Sequence, residues 1–117
     1  GCLLTVTFYG SERVVADYNL MGPVKAALES SVRYMAAELG DKRIRVHALS
    51  PGPMQTRAAS GIERFDQLLE RSRERAPQNK LVTIDDVGAV AAFLVSDGAQ
   101  SLTGNTEYID AGMHIVG

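Results

Sequence analysis

The stretch "ADYNLMGPVKAALESSV", from Ala16 to Val32, places Tyr18 seven residues ahead of Lys25 and opens an apolar helical pattern. Gly40 is a typical helix stop, and the pattern before it predicts a single helix of about 22 residues from Tyr18 to Leu39. The apolar residues that recur at multiples of three and four are Met21, Leu28, Val32, Met35 and Leu39.

Strand and helix patterns alternate along the rest of the chain. A strand, a helix, a strand, further helices and a last strand are typical of right-handed crossovers in a parallel sheet. The sequence therefore predicts an α/β fold with about three parallel strands and flanking helices. The remaining predicted elements are strands over Cys2–Phe8, Arg43–Ser50 and Thr106–Ile109, one or two short helices within Ala58–Ala76, and a helix capped by Thr83 that runs past Leu94.

Composition limits the classes of function. The chain has 117 residues, 45% hydrophobic and 22% charged, with a formal net charge of -2. These values are typical of a soluble globular domain and argue against a nucleic-acid binder. No apolar run approaches the roughly 20 residues of a membrane span, so we expect a cytoplasmic protein without a membrane partner. Cys2 is the only cysteine and the two histidines lack partners at ligand spacing, so no metal site is expected.

The start of the sequence indicates one part of a larger domain. Gly1 is not an initiator methionine, and strand-forming residues begin at the second position. No GxGxxG loop is present, which is the usual device for holding a dinucleotide pyrophosphate. We therefore interpret residues 1–117 as a single partial domain, the second half of a nucleotide-binding fold whose first half is absent.

Tyr18 and Lys25 have two open interpretations. On one helix, a spacing of seven places both side chains on the same face, about 10.5 Å apart along the axis. A ligand could then bridge them, with the ammonium beside a sugar oxygen and holding the phenol pKa below its usual value near 10. Both side chains also lie readily on the rim of an ordinary helix, so spacing alone does not decide.

Three ordered segments carry a family resemblance. "YNLMGPVKAALESSVRYMAAELG", "IRVHALSPGPMQT" and "TGNTEYIDAG" resemble the C-terminal half of the short-chain dehydrogenase/reductase family, which has a Rossmann-type doubly wound sheet. Six residues between the tyrosine and the lysine, with "TRAASGIERFDQLL" and "RAPQNKLVTIDDVGAVAAFLVSD", are similar to its enoyl-acyl-carrier-protein reductase branch. The resemblance covers essentially the whole chain.

The resemblance implies a role for each matching residue. Tyr18 would donate a hydrogen bond or proton to the thioester enolate oxygen, and Lys25 would bind the nicotinamide ribose. The loop Pro51, Gly52, Pro53 and Met54 would meet the nicotinamide carboxamide, and the Thr56 hydroxyl would reach the pyrophosphate. The residues implied to contact substrate or form a lid are Phe8, Tyr9, Met21, Ala58, Ala59, Ile62 and Phe65.

One position departs from that branch. It usually carries a second tyrosine ten residues before the catalytic one, where this chain has Phe8. Phe8 cannot donate a hydrogen bond, so either the Thr5 hydroxyl takes that role or Tyr18 works alone. Thr5 stands where the wider family has a serine that polarises the substrate oxygen.

The implied activity is reduction of a trans-2-enoyl thioester, linked to acyl carrier protein or coenzyme A, with NADH or NADPH in fatty acid synthesis. A homodimer or homotetramer is also implied. Two alternatives remain open: a carbonyl reductase or alcohol dehydrogenase of the same family, and an inactive, self-associating piece if the 117 residues stand alone.

Overall fold

The computed structural model describes residues 1–54 and 65–117. Within these ranges, no helix is both long and apolar enough to cross a bilayer. In chain order the elements are β1 (Cys2–Val6), α1 (Met21–Leu39), β2 (Arg45–Pro51), α2 (Phe65–Arg75), α3 (Ile84–Leu94) and β3 (Thr106–Ile109).

The strands form one parallel sheet in the order β1-β2-β3. Leu3 lies beside Val46 in the register of the first pair, and Ser50 lies beside Tyr108 in that of the second. The predicted three-stranded parallel arrangement with flanking helices is therefore confirmed. Because all strands point the same way, their carboxyl ends meet at one edge of the sheet, where crevices of α/β folds bind ligands.

The first helix begins later than the sequence predicts. α1 starts at Met21, and Tyr18 lies in the turn before it. Asp17 and Asn19, on either side of Tyr18, have left-handed backbones with φ of 64° and 54°. A helix cannot pass through such residues, so the prediction that Tyr18 and Lys25 share a helix is wrong.

Two apolar clusters hold the elements together. Val32 and Ala36 of α1 pack on Val46 and Ala48 of β2, which seats the helix on one face of the sheet. A second cluster lies beyond the ends of the strands and is formed by Ala76, Val82, Ala111 and Met113, with Tyr9, Met54 and Ile109 against it.

The predicted cap of α3 is confirmed. Thr83 accepts a hydrogen bond from the Asp86 backbone N–H, and the Asp86 carboxyl group accepts one from the Thr83 N–H at 2.8 Å. This reciprocal pair satisfies two backbone donors at the helix start. The residue at which α3 begins thus follows from a signal that is local in sequence.

Candidate active site

One cavity of about 460 Å³ opens at the carboxyl ends of β1 and β2. Tyr18 and Lys25 both line it, together with the loop that follows β2. The two residues therefore face a common space, although only Lys25 is on the helix. The described residues that line it are Val6, Thr7, Phe8, Asp17, Tyr18, Met21, Lys25, Pro51, Gly52, Pro53, Met54, Phe65 and Leu68.

The Tyr18 ring is held by contacts from the turn after β1. Phe8 meets it edge-on, with ring centroids 5.2 Å apart. A Cβ on Gly10 would lie 2.6 Å from the Tyr18 ring, and a Cβ on Gly22 would lie 2.9 Å from the Gly10 carbonyl oxygen. Both contacts are too close for any side chain, so these glycines allow the turn and the start of α1 to enclose the tyrosine.

Sequence reasoning missed Gly10 and Gly22 as residues that build the site. A glycine in a turn and another in the first turn of a helix are ordinary, and neither carries a reactive group. The available signal was their position, one beside the Phe8-Tyr9 pair and the other between Tyr18 and Lys25.

Burial raises the pKa of the Tyr18 phenol above its ordinary value of 10.0. The prediction that Lys25 lowers this pKa is wrong for the chain as described, because desolvation penalises the phenolate. Tyr18 is therefore a neutral O–H group at physiological pH. Such a group can donate a hydrogen bond to an oxygen on which negative charge develops.

The Lys25 side chain is half-buried and reaches back to the first strand. Its Nζ atom donates a hydrogen bond to the Val6 carbonyl oxygen at 3.1 Å. An ammonium has three donors, so further donors remain for a ligand in the cavity. The hydrogen bond to the end of β1 thus fixes the position of the Lys25 ammonium.

The loop Pro51–Met54 forms one wall of the cavity. The Gly52 backbone N–H donates to the Ile109 carbonyl oxygen at 2.9 Å, which joins the loop to the end of β3. A Cβ on Gly52 would lie 3.1 Å from the Asp110 Cβ, so the glycine permits this close approach. All four predicted loop residues line the cavity, and the backbone of this wall is tied to the sheet.

Three of the predicted substrate contacts, Phe8, Met21 and Phe65, also line the cavity. Tyr9 does not: it packs against the second apolar cluster, and this burial raises its pKa despite the nearby Arg75 and Arg13. Thr5 does not line it either, because the residue lies beside Ala48, on the sheet face that α1 covers. The predicted residues that lie outside the described ranges are Thr56, Ala58, Ala59 and Ile62.

The cavity suits a nicotinamide and a thioester. Its walls are mostly apolar, as an uncharged ring and an acyl chain require. Among the described lining residues, four have polar side chains, Lys25, Tyr18, Asp17 and Thr7. The backbone of the Pro-Gly loop offers further groups for a carboxamide. The residues present therefore fit the cofactor that the resemblance implies.

Comparison with known proteins agrees with this geometry. The sequence model of the enoyl-(acyl carrier protein) reductase family matches residues 1–114. The chain belongs to this family. The matched range includes Tyr18, Lys25 and the loop after β2, together with nearly all the rest of the chain.

Enoyl-acyl-carrier-protein reductase (NADH) 1 of Rhizobium meliloti is 48% identical over all 117 residues, which make up 43% of that protein. The FabI enzyme of Bacillus cereus is 47% identical over 117 residues, 46% of its length. The chain therefore spans less than half the length of these curated relatives.

Solved structures give the same result. The enoyl-acyl carrier protein reductase of Bacillus cereus, bound to NADP+ and indole naphthyridinone, matches with a TM-score of 0.97 and 47% identity, over 100% of this chain and 46% of that one. A reductase of Anaplasma phagocytophilum in complex with NAD matches with a TM-score of 0.94 and 47% identity, over 100% of this chain and 45% of that one. The predicted Rossmann-type α/β architecture is thereby confirmed.

Proposed function

We propose that the chain is the catalytic, C-terminal half of a nicotinamide-dependent enoyl-acyl-carrier-protein reductase of fatty acid synthesis. The observation that carries this proposal is the convergence of Tyr18, Lys25 and the Pro51–Met54 loop on one apolar cavity. Relatives named as NADH-dependent enoyl-acyl-carrier-protein reductases support it. The nucleotide-binding half lies in the remainder of the longer protein under this proposal.

Each residue has a defined task in this reaction. The Tyr18 O–H donates to the thioester oxygen and stabilises the enolate that forms there. Lys25 holds the ribose hydroxyls, and the Pro51–Met54 backbone orients the carboxamide. Phe8, Met21 and Phe65 exclude water around the acyl chain. The bound nicotinamide supplies the hydride that the β-carbon of the enoyl group receives.

Several finer assignments belong to the proposal. Thr56 binds the pyrophosphate, and Ala58, Ala59 and Ile62 close over the substrate. NADH is favoured over NADPH by the names of the curated relatives, and the enoyl group is carried by acyl carrier protein or coenzyme A. The whole enzyme works as a homo-oligomer, a dimer or tetramer, in the cytoplasm. Among the described residues Tyr18 is the hydroxyl donor to the substrate, since Thr5 does not line the cavity and the Thr7 hydroxyl donates to Glu29.

The decisive experiment uses the protein at its full natural length. We expect Tyr18→Phe to lower kcat/KM for a crotonyl thioester by about 10²- to 10⁴-fold, because it removes the proton donor. Lys25→Met should raise KM for the nicotinamide. Tyr34→Phe is the matched control, because Tyr34 lies on α1 and is 77% exposed. Unchanged turnover in both Tyr18→Phe and Lys25→Met would contradict the proposed roles of these two residues.

A carbonyl reductase is the second candidate. The specific observation in its favour is Phe8, which lines the cavity where the reductase branch usually has a second tyrosine. Turnover of a ketone panel against the crotonyl thioester separates the two activities. Faster reduction of ketones would replace the enoyl assignment and keep the roles of Tyr18 and Lys25.

A further inference from the structure

Glu29 is a buried acidic residue that the proposed reaction does not use. It lies on the sheet-facing side of α1, three residues before Val32, and its side chain is 7% exposed. Buried carboxyl groups are costly unless they are hydrogen-bonded. The hydrogen-bond partner of Glu29 should therefore explain why a carboxyl group is buried at this position.

That contact is with Thr7, the residue directly after β1. The Thr7 Oγ1 atom donates a hydrogen bond to Glu29 Oε2 at 2.5 Å, and the Thr7 backbone N–H donates to the Leu49 carbonyl oxygen at 2.8 Å. Thr7 is 2% exposed and lines the cavity. One residue thus links the sheet, the helix and the wall of the candidate active site.

Lys25, on the same helix, makes a hydrogen bond to Val6, the residue before Thr7. The Lys25 Nζ atom donates to the carbonyl oxygen of Val6, and Glu29 accepts from Thr7. Lys25 and Glu29 are four residues apart, so their Cα atoms lie on one helix face about 6 Å apart along the axis. Side chains of α1 therefore make hydrogen bonds to two consecutive residues, Val6 and Thr7, at the end of β1.

We propose that Glu29 is a positioning residue for nicotinamide binding, acting through Thr7 on the Lys25 ammonium. The Thr7-Glu29 hydrogen bond sets the distance between the end of β1 and α1. That distance decides whether the ammonium, anchored on the Val6 carbonyl, keeps its remaining donors directed at the cavity. The inference rests on the proposed function, in which Lys25 holds the ribose.

The test measures NADH affinity in the full-length protein by nucleotide fluorescence, with thermal melting alongside. Thr7→Val keeps the shape of the side chain and removes the hydroxyl. We expect it to raise the Kd for NADH by about tenfold, near the upper end of the net effect of one hydrogen bond. Glu29→Met should act alike. Thr7→Ser restores the hydroxyl and should recover most of the lost affinity.

Controls separate positioning from simple stability. Glu38→Met changes an exposed acid on the same helix and should leave the Kd within about twofold of the unaltered protein, as is usual for surface sites. The double variant Thr7→Val/Glu29→Met should lose no more affinity than either single variant, because both break one contact.

Other outcomes overturn the inference. If Thr7→Val lowers the melting temperature but leaves the Kd for NADH unchanged, the Thr7-Glu29 pair has a structural role only. Losses that add in the double variant, or a Thr7→Ser variant that behaves like Thr7→Val, would also reject it. If the unaltered protein binds neither NADH nor NADPH, the proposed function fails and this inference fails with it.

Discussion

Gly10 leaves the space that the Tyr18 ring occupies. A methyl group on Gly10 would lie 2.6 Å from Cδ2 of Tyr18, so the ring would have to move. We expect Gly10→Ala to lower kcat of the full-length enzyme by about 10- to 100-fold, since displacements near 1 Å at a reacting group have effects of this size. Steady-state assays at saturating substrate would measure this change in kcat.

Gly40→Ala is the control for this substitution. A Cβ at Gly40 would meet no heavy atom within 4 Å, and its φ is -61°. It should leave kcat unchanged. Equal rates for the Gly10→Ala and unaltered enzymes would show that the Tyr18 ring tolerates displacement.

The ionisation of Tyr18 can be measured directly. Because burial raises the pKa of its phenol above 10.0, we expect Tyr18 to ionise only in alkaline solution beyond that value. The difference in ultraviolet absorbance between the unaltered protein and Tyr18→Phe, followed against pH, isolates its titration. A phenolate signal that develops near neutral pH would support the original expectation that a nearby positive charge dominates.

At the scale of residues, spacing and the family resemblance together singled out the candidate pair Tyr18 and Lys25, but not its geometry. Tyr18 and Lys25 do face one cavity, yet the left-handed backbones of Asp17 and Asn19 place the tyrosine outside the helix. Tyr9, next to Phe8 in sequence, is turned into the second apolar cluster. Which of two neighbouring aromatic residues faces a cavity depends on the surrounding packing and is not encoded in their order.

At the scale of elements, the start of α3 makes a prediction about pH. The pKa of Asp86 is lowered, mainly by the hydrogen bond from the Thr83 backbone N–H. A depressed pKa in the folded state stabilises the fold above the unfolded value of about 3.9 and loses that effect as pH falls through the folded value. We expect Asp86→Asn to lower the urea midpoint at pH 7, with the difference vanishing in acid.

Asp85→Asn serves as the comparison for Asp86→Asn. Asp85 is the adjacent acid in the same first turn and takes no part in the capping pair described for this helix. Its substitution should have the smaller effect at pH 7. A difference for Asp86→Asn that persists unchanged at low pH would mean that the carboxylate charge is not what stabilises the cap.

Helix and strand assignments succeeded where the determining interactions are local. The capping box of Thr83 and Asp86 lies within one helical turn. The apolar residues of α1 recur at spacings of three and four, which join adjacent turns. Strand ends were less accurate: β1 was predicted to reach Phe8 but ends at Val6. Thr7 still donates a backbone hydrogen bond to Leu49, and the chain then turns at Tyr9–Ser11.

At the scale of the whole molecule, the sheet of the described residues ends with β1. Leu3 is 45% exposed and Val6 55% exposed on this edge strand, and edge strands with apolar side chains pair readily with other chains. We expect the isolated 117-residue chain to self-associate, as measured by light scattering after size exclusion. Leu3→Lys should shift the population toward the monomer, because a charged edge resists pairing.

Ile84→Lys adds the same charge at another exposed apolar position, on α3 and not on the strand edge. It should leave the association largely intact. A chain that is monomeric without any substitution would contradict the expectation that this edge needs a partner strand.

The amino-acid sequence by itself determined the element types, their order, the parallel sheet and the candidate pair Tyr18 and Lys25. The element types depend on periodicity and caps, which are local in the chain. The parallel sheet was inferred from the alternation of strands and helices, and the pair from its spacing together with the family resemblance. Only the tertiary structure decided that Gly10 and Gly22 enclose the tyrosine, that Thr5 lies away from the cavity, and that Glu29 meets Thr7 across 22 positions of sequence. Such contacts form when α1 packs on the sheet, and their energies come from burial and close approach that no local pattern records.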